Sequence, residues 1–300
     1  MRMAPHRHGV HDSSDPRRLA TALALIVALM AAEVVVGLLA HSLALLSDAG
    51  HMVADAGALG LSMLALRLAR RPAGGQLTFG LRRTETLSAQ ANGGTLLVLA
   101  CLVVYEAVRR LVHPPHVTGW AVLVTALAGA AVNAAATWQV ARAGRESMAV
   151  EGSYQHLLTD LYAFAATAAA GAVVVATGFA RADSIASLLV AALMLRAAYT
   201  LLKQSGRVLL EAAPEGLDVD EIAATLAQHA EVASLHDLHV WEVGTGFPAL
   251  SAHVLVAQGA DCHRIRRELE AVLHDRFAID HTTLQVEHAQ PDLLRIRTSS

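Results

Sequence analysis

Six stretches of the sequence, residues 19–40, 43–66, 87–104, 121–140, 156–180 and 185–202, are apolar over about the ~20 residues that a bilayer-crossing helix needs. Such runs leave little choice of solvent, and most of the chain must fold against lipid. The composition agrees, with 54% hydrophobic and 16% charged residues, far from the balance of an ordinary soluble domain. Glycine and polar residues punctuate the gaps. The first run follows a basic tail, as a secretory signal would, but it is longer than the apolar part of such a signal and reads as a first membrane helix. Arg196, near the end of the sixth run, reaches the interface along its methylene stem.

Arginine sets the orientation. Arg2, Arg7, Arg17 and Arg18 lie in the tail, Arg67, Arg70, Arg71, Arg82 and Arg83 between the second and third runs, and Arg142 and Arg145 between the fourth and fifth. The opposite side carries only Arg109, Arg110 and Arg181, so both termini are expected in the cytoplasm. From about residue 210 the pattern becomes that of a soluble domain. Residues 219–230 and 262–277 read as amphipathic helices, while HDLHVWEV, ALSAHVLVA and TTLQVEH alternate as half-buried strands. The expected architecture is an α-helical membrane protein. It has a tail over 1–18, six transmembrane helices within 19–208, a small cytosolic α+β domain over 209–291 and a tail over 292–300. A net charge of −3 leaves no footprint for nucleic acid. Cys101 in an apolar run and Cys262 in a polar region make no disulfide framework.

The stretch SDAGHMVADAG, residues 47–57, sets ionisable groups inside the second apolar run. His51 and Asp55 are four residues apart and share one helical face; His156 and Asp160 repeat the spacing in the fifth run. An ionisable side chain at the bilayer centre costs at least ~2.5 kcal/mol, so four of them need a use. Two imidazole nitrogens and two carboxylate oxygens converging from two helices make a tetrahedral ligand set suited to Zn²⁺, with Co²⁺ as a surrogate. The bland alternative is a local hydrogen bond on each helix face, which accounts easily for one copy and poorly for two. His11 and Asp15 have the same spacing in the polar tail, where it costs nothing and carries no meaning. Asp48, one turn before His51, and Glu33 in the first run are candidates for an entrance or a proton path.

These residues carry a resemblance. The paired motifs, together with SLALLSDAGHMVADAGAL, TFGLRRTETLSAQANG, ADSIASLLVAALML and LHDLHVWEVG, resemble the cation diffusion facilitator family of zinc transporters from about residue 19 to 290. The resemblance implies six transmembrane helices, a cytosolic ferredoxin-like metal-binding domain, a homodimer, and export of a divalent metal in exchange for protons. It carries the transport site onto His51, Asp55, His156 and Asp160. Histidine at both leading positions favours Zn²⁺, with Co²⁺ or Cd²⁺ as further candidates.

A cytosolic metal site is implied as well. His236, His253 and Glu287 fall in or near three strands at positions similar to family ligands, with His263 at the start of the last helix as a fourth. Glu287 stands where some relatives have histidine, and ordinary histidines on a solvated sheet face are the competing reading. The family's charge interlock would map onto Arg83 and Glu211, unless these are two solvated surface charges. The connection RPAGGQLTFGL lacks the ligands that hold a second metal in some bacterial relatives, so no metal is expected there. The connection ARAGRESMAVEG lacks the histidine-rich insert of many vesicular relatives, which points to a bacterial plasma (inner) membrane. The tail HRHGVH is either a weak zinc-capturing segment or solvated chain. Asn92 and Asn133 read as helix-packing groups.

Two other classes of function make different demands. An intramembrane metalloenzyme keeps an open zinc position beside a general base, whereas four ligands fill the shell here and no catalytic motif accompanies them. No enzyme is expected. A membrane-bound zinc sensor or receptor would bind metal without moving it, and a flux measurement separates that reading from transport.

Overall fold

The computed structural model describes residues 15–39, 43–113, 119–179 and 181–289. Six long helices come first: α1 (Pro16–Leu39), α2 (Leu43–Ala69), α3 (Arg83–Val112), α4 (Gly119–Ala141), α5 (Met148–Thr177) and α6 (Ala182–Leu209). The shortest has 23 residues, or ~35 Å at ~1.5 Å per residue, enough for a hydrocarbon core of ~30 Å. Among the described residues, Met148–Thr177 and Ser184–Leu209 are long and apolar enough to cross a membrane by length and composition alone.

Helix starts depart from the apolar runs for a physical reason. The helix predicted from 156 begins at Met148, because Ser147 holds an extended backbone and accepts a hydrogen bond from the Ala149 amide at 3.2 Å. Gly178, in the left-handed region at φ 73°, closes its other end. His156 therefore sits two turns inside α5 rather than at its start. The start of α3, at Arg83 and not 87, has no side-chain cap; there the Thr84 hydroxyl donates to the Leu81 and Ala65 carbonyls at 2.7 and 3.0 Å. Apolar runs report what meets lipid, whereas the polar cap at Ser147 decides where α5 begins.

Among the described residues the chain forms two compact units, one reaching Gly206 and the other beginning at Arg207. In the first, Leu19, Ala22 and Ile26 of α1 pack with Leu59 and Leu66 of α2, Ala136 and Val140 of α4, and Val150 and Leu157 of α5. A second cluster joins Leu96 and Ala100 of α3 to Val190, Met194, Ala198 and Leu201 of α6. Large apolar side chains also face outward, among them Val98, Leu102, Leu189 and Tyr199. A helical bundle that is apolar both inside and outside is built for lipid.

Helices α4 and α5 approach closely at Gly129, where a Cβ would lie 2.4 Å from Phe164 Cε1. Gly129→Ala should lower the stability of the detergent-solubilised protein by about 1–3 kcal/mol, the usual cost of overpacking. Adding Phe164→Leu should restore most of the loss in a thermal melt. A melt unchanged by Gly129→Ala alone would show that the ring gives way freely.

The second unit runs α7 (Val219–Ala227), β1 (Val232–Gly244), β2 (Phe247–Val256), α8 (Cys262–Phe277) and β3 (His281–His288). The expected order of helix, strand, strand, helix, strand is present, with α7 ending before 230 and β1 starting before 236. The sheet order is β1-β2-β3, with β1 and β2 antiparallel and β2 and β3 parallel. Both helices start at aspartate caps: Asp218 accepts from the Asp220 and Glu221 amides, and Asp261 from those of His263 and Arg264. Strand alternation sends Leu250, Ala252, Val254, Val256 and Leu284 to one face, under Ile222 and Leu226 of α7 and Ile265, Leu269 and Leu273 of α8. Each helix thus covers the same side of the sheet.

Candidate metal centres

The His-x-x-x-Asp spacing of α5 places His156 and Asp160 on one face, and that face meets α2 at Asp55. His156 Nε2 lies 2.9 Å from Asp55 Oδ1 and 3.8 Å from Asp160 Oδ2. His156 is 1% exposed, while the Asp55 and Asp160 side chains are 13% and 21% exposed. The imidazole is thus sealed in, while both carboxylates keep some exposure. Among the described residues neither His156 Nδ1 nor Asp160 Oδ2 has a hydrogen-bond partner. A buried polar atom left unbonded costs ~1–3 kcal/mol, which a structure tolerates where a ligand supplies the missing bond. Two carboxylates and an imidazole with ligand atoms within 4.8 Å of one another form a donor set for a divalent cation.

The backbone of α2 carries His51 one turn before Asp55, and carries Asp48 before that; α1 carries Glu33. The side chains of these three lie outside the described residues. Glu106, at the far end of α3, is half-buried and paired with Arg110 at 2.9 Å and Arg109 at 3.5 Å.

In the second unit, register pairs His236 of β1 directly with His253 of β2. Their rings meet edge to face, with centroids 5.2 Å apart. A bulge between His236 and His239 puts Asp237 at φ 51°, a left-handed conformation that aspartate tolerates better than most residues. The turn brings the Asp237 carboxylate to the two histidines, and the three offer ligand atoms within 4.8 Å of one another. Glu287 and His263 do not belong to this group. The strand neighbour of His253 is Gln285, whereas Glu287 pairs with Leu255 and accepts a hydrogen bond from the Gln285 amide. His263 lies in the first turn of α8, which packs on the other face of the sheet. Arg83 opens α3 and Glu211 follows α6 at φ 58°, each in its own unit.

The family model described as cation efflux transmembrane domain matches residues 19–210, and that of the cation efflux protein, cytoplasmic domain, matches 214–289. The chain belongs to the cation efflux family. Its relatives span it almost end to end. The cadmium, cobalt and zinc/H(+)-K(+) antiporter of Bacillus velezensis is 35% identical over 95% of this chain and 92% of that protein. The zinc transporter ZitB of Escherichia coli is 37% identical over 92% of this chain and 89% of that protein. The metal cation efflux system protein CzcD of Cupriavidus metallidurans is 35% identical over 95% of this chain and 90% of that protein. The chain is therefore a membrane protein of metal cation efflux, with a helical transmembrane domain and a cytoplasmic α+β domain.

In this cation efflux protein the candidate ligands stand beside a polar knot, of which the sequence had offered Asn92 alone. Ser62 Oγ donates to the Ala58 carbonyl at 3.1 Å, lies 3.3 Å from Ser88 Oγ, and accepts from Asn92 Nδ2 at 3.3 Å and Ser153 Oγ at 2.7 Å. All four residues are buried and tie α2, α3 and α5 together. Ser62 is two turns from Asp55 along α2, and Ser153 one turn from His156 along α5. The knot fixes α2 and α5 against each other, which holds the spacing between Asp55 and His156. Asn92 is thus an interhelical packing group, while the hydrogen bond given to Asn133 Oδ1 comes from Thr137 within α4, at 3.1 Å.

Proposed function

We propose that the chain exports Zn²⁺ from the cytoplasm in exchange for protons by alternating access, with His51, Asp55, His156 and Asp160 as the transport site. One observation carries the reading: Asp55, His156 and Asp160 converge from two helices of the transmembrane domain, with buried ligand atoms lacking hydrogen-bond partners. His51 on the same face of α2 completes a two-nitrogen, two-oxygen set, whose hardness suits Zn²⁺, with Co²⁺ or Cd²⁺ as alternative cargo. Histidine must be neutral to ligate, so protons and metal compete for the same nitrogens. Protons arriving from the acidic side displace the ion, and the return step carries them inward. Asp48 and Glu33 belong to the entrance or proton path. Both termini face the cytoplasm of a plasma (inner) membrane protein, and the cytoplasmic domain joins two copies as a homodimer.

The test is zinc uptake into inside-out proteoliposomes with an acidic interior. Uptake is expected with the gradient present, and it should vanish when the gradient is collapsed. Equal uptake without the gradient would overturn proton coupling. Stoichiometric zinc binding without any flux would favour a sensor.

A regulatory role for metal in the cytoplasmic domain follows from a separate observation, the grouping of His236, Asp237 and His253. Zn²⁺ held there would report cytosolic metal to the transport unit.

A further inference from the structure

Cys262 is the first residue of α8 and His288 the last of β3. Cys262 Sγ lies 3.7 Å from His288 Nε2 and 4.0 Å from Nδ1. Nε2 is also 3.0 Å from the Ala260 carbonyl oxygen. A carbonyl only accepts, so this bond assigns the ring proton to Nε2 and leaves Nδ1 with its lone pair. That is the arrangement in which histidine ligates metal, its far nitrogen anchored to a backbone oxygen.

The backbone that carries both side chains is held before any ion arrives. Asp261 caps α8 through the His263 and Arg264 amides at 3.0 and 3.1 Å, which fixes the start of the helix. Ala289 donates to the Val256 carbonyl at 2.8 Å, and Gln258 Nε2 donates to the Ala289 carbonyl at 2.5 Å, which fixes the end of β3. Zn²⁺ bonded at ~2.3 Å to sulfur and ~2.0 Å to nitrogen at a tetrahedral angle needs about 3.5 Å between them. The Sγ–Nδ1 gap is a few tenths of an ångström wider, which suits a larger and softer ion.

The pair is distinct from the grouping on β1 and β2. Register sets His288 beside Val256, whose side chain is buried under α8, whereas His253 stands beside Gln285 on the alternate set of positions. Side chains alternate along a strand, so the sheet separates Cys262 and His288 from His236, Asp237 and His253. Cys262 is half-buried and His288 exposed, so water reaches the remaining coordination positions.

We infer that Cys262 and His288 form a second metal-binding site of the cytoplasmic domain, one that takes a soft divalent ion such as Cd²⁺ through thiolate and imidazole. The thiol proton leaves to solvent as the ion binds.

The sequence has two cysteines, so Cys101→Ser leaves Cys262 as the sole thiol. In that full-length background, Cd²⁺ titration should raise an ultraviolet thiolate-to-metal band that saturates at one ion per chain. Adding Cys262→Ser should abolish it, and His288→Ala should move its midpoint at least about tenfold higher. His288→Gln keeps a donor for the Ala260 carbonyl and should weaken binding as alanine does. The double variant His236→Ala/His253→Ala should leave the band unchanged. A band indifferent to His288, one restored by glutamine, or no band at all would overturn the proposal.

Discussion

Asp160→Ala should abolish zinc uptake, by more than about a hundredfold, while the protein melts at the same temperature as the native chain or higher. The two halves of this expectation have one cause. Loss of a group that merely supports a metal ligand costs ~10–100-fold in affinity or activity, and loss of a ligand itself costs more. For folding the sign reverses. Asp160 Oδ2 is buried without a hydrogen-bond partner among the described residues, so the native chain carries a desolvation cost that alanine removes. Uptake in proteoliposomes and a thermal melt of the same preparation read the two quantities. Asp160→Asn keeps the shape and removes the charge, and it should fail in transport as well. Asp15→Ala, in the tail copy of the same spacing, should transport normally. Native-like uptake by Asp160→Ala would remove Asp160 from the site.

The site and its surroundings differ in how far the sequence exposes them. The candidate ligand pairs are legible because ionisable groups are costly in lipid and because four residues bring two side chains onto one helical face. Nothing comparable marks Ser62. A serine in a membrane helix satisfies itself by bonding the carbonyl four residues back, as Ser62 does with Ala58 at 3.1 Å. Its bonds to Asn92 and Ser153, 30 and 91 residues away, exist only once three helices meet. The α+β order of the cytoplasmic domain was readable from its alternation, since Leu250, Ala252, Val254 and Val256 repeat every second residue. Asp237 was not, because a bulge breaks that alternation and turns the residue after His236 back toward the same group.

Asp237 therefore decides between two versions of the cytoplasmic site. In full-length protein already carrying Asp160→Ala, Asp237→Asn should weaken the remaining Zn²⁺ binding by at least about tenfold, whereas Glu287→Gln should leave it nearly unchanged. Asparagine tolerates the left-handed backbone almost as well as aspartate, so the strand bulge survives and only the charge is lost. The asymmetry rests on register. His253 pairs with Gln285, and Glu287 stands two residues further along β3, ~6.6 Å away at ~3.3 Å per residue, already bonded by the Gln285 amide. The Asp237 carboxylate has no such distance to cover, since its oxygen lies within 4.8 Å of ligand nitrogens on both histidines. A binding isotherm that responds to Glu287 and ignores Asp237 would mean that the domain rearranges around the ion, with β3 moving toward His253. A response to Asp237 alone would mean that the bulge in β1 holds the site ready before metal arrives.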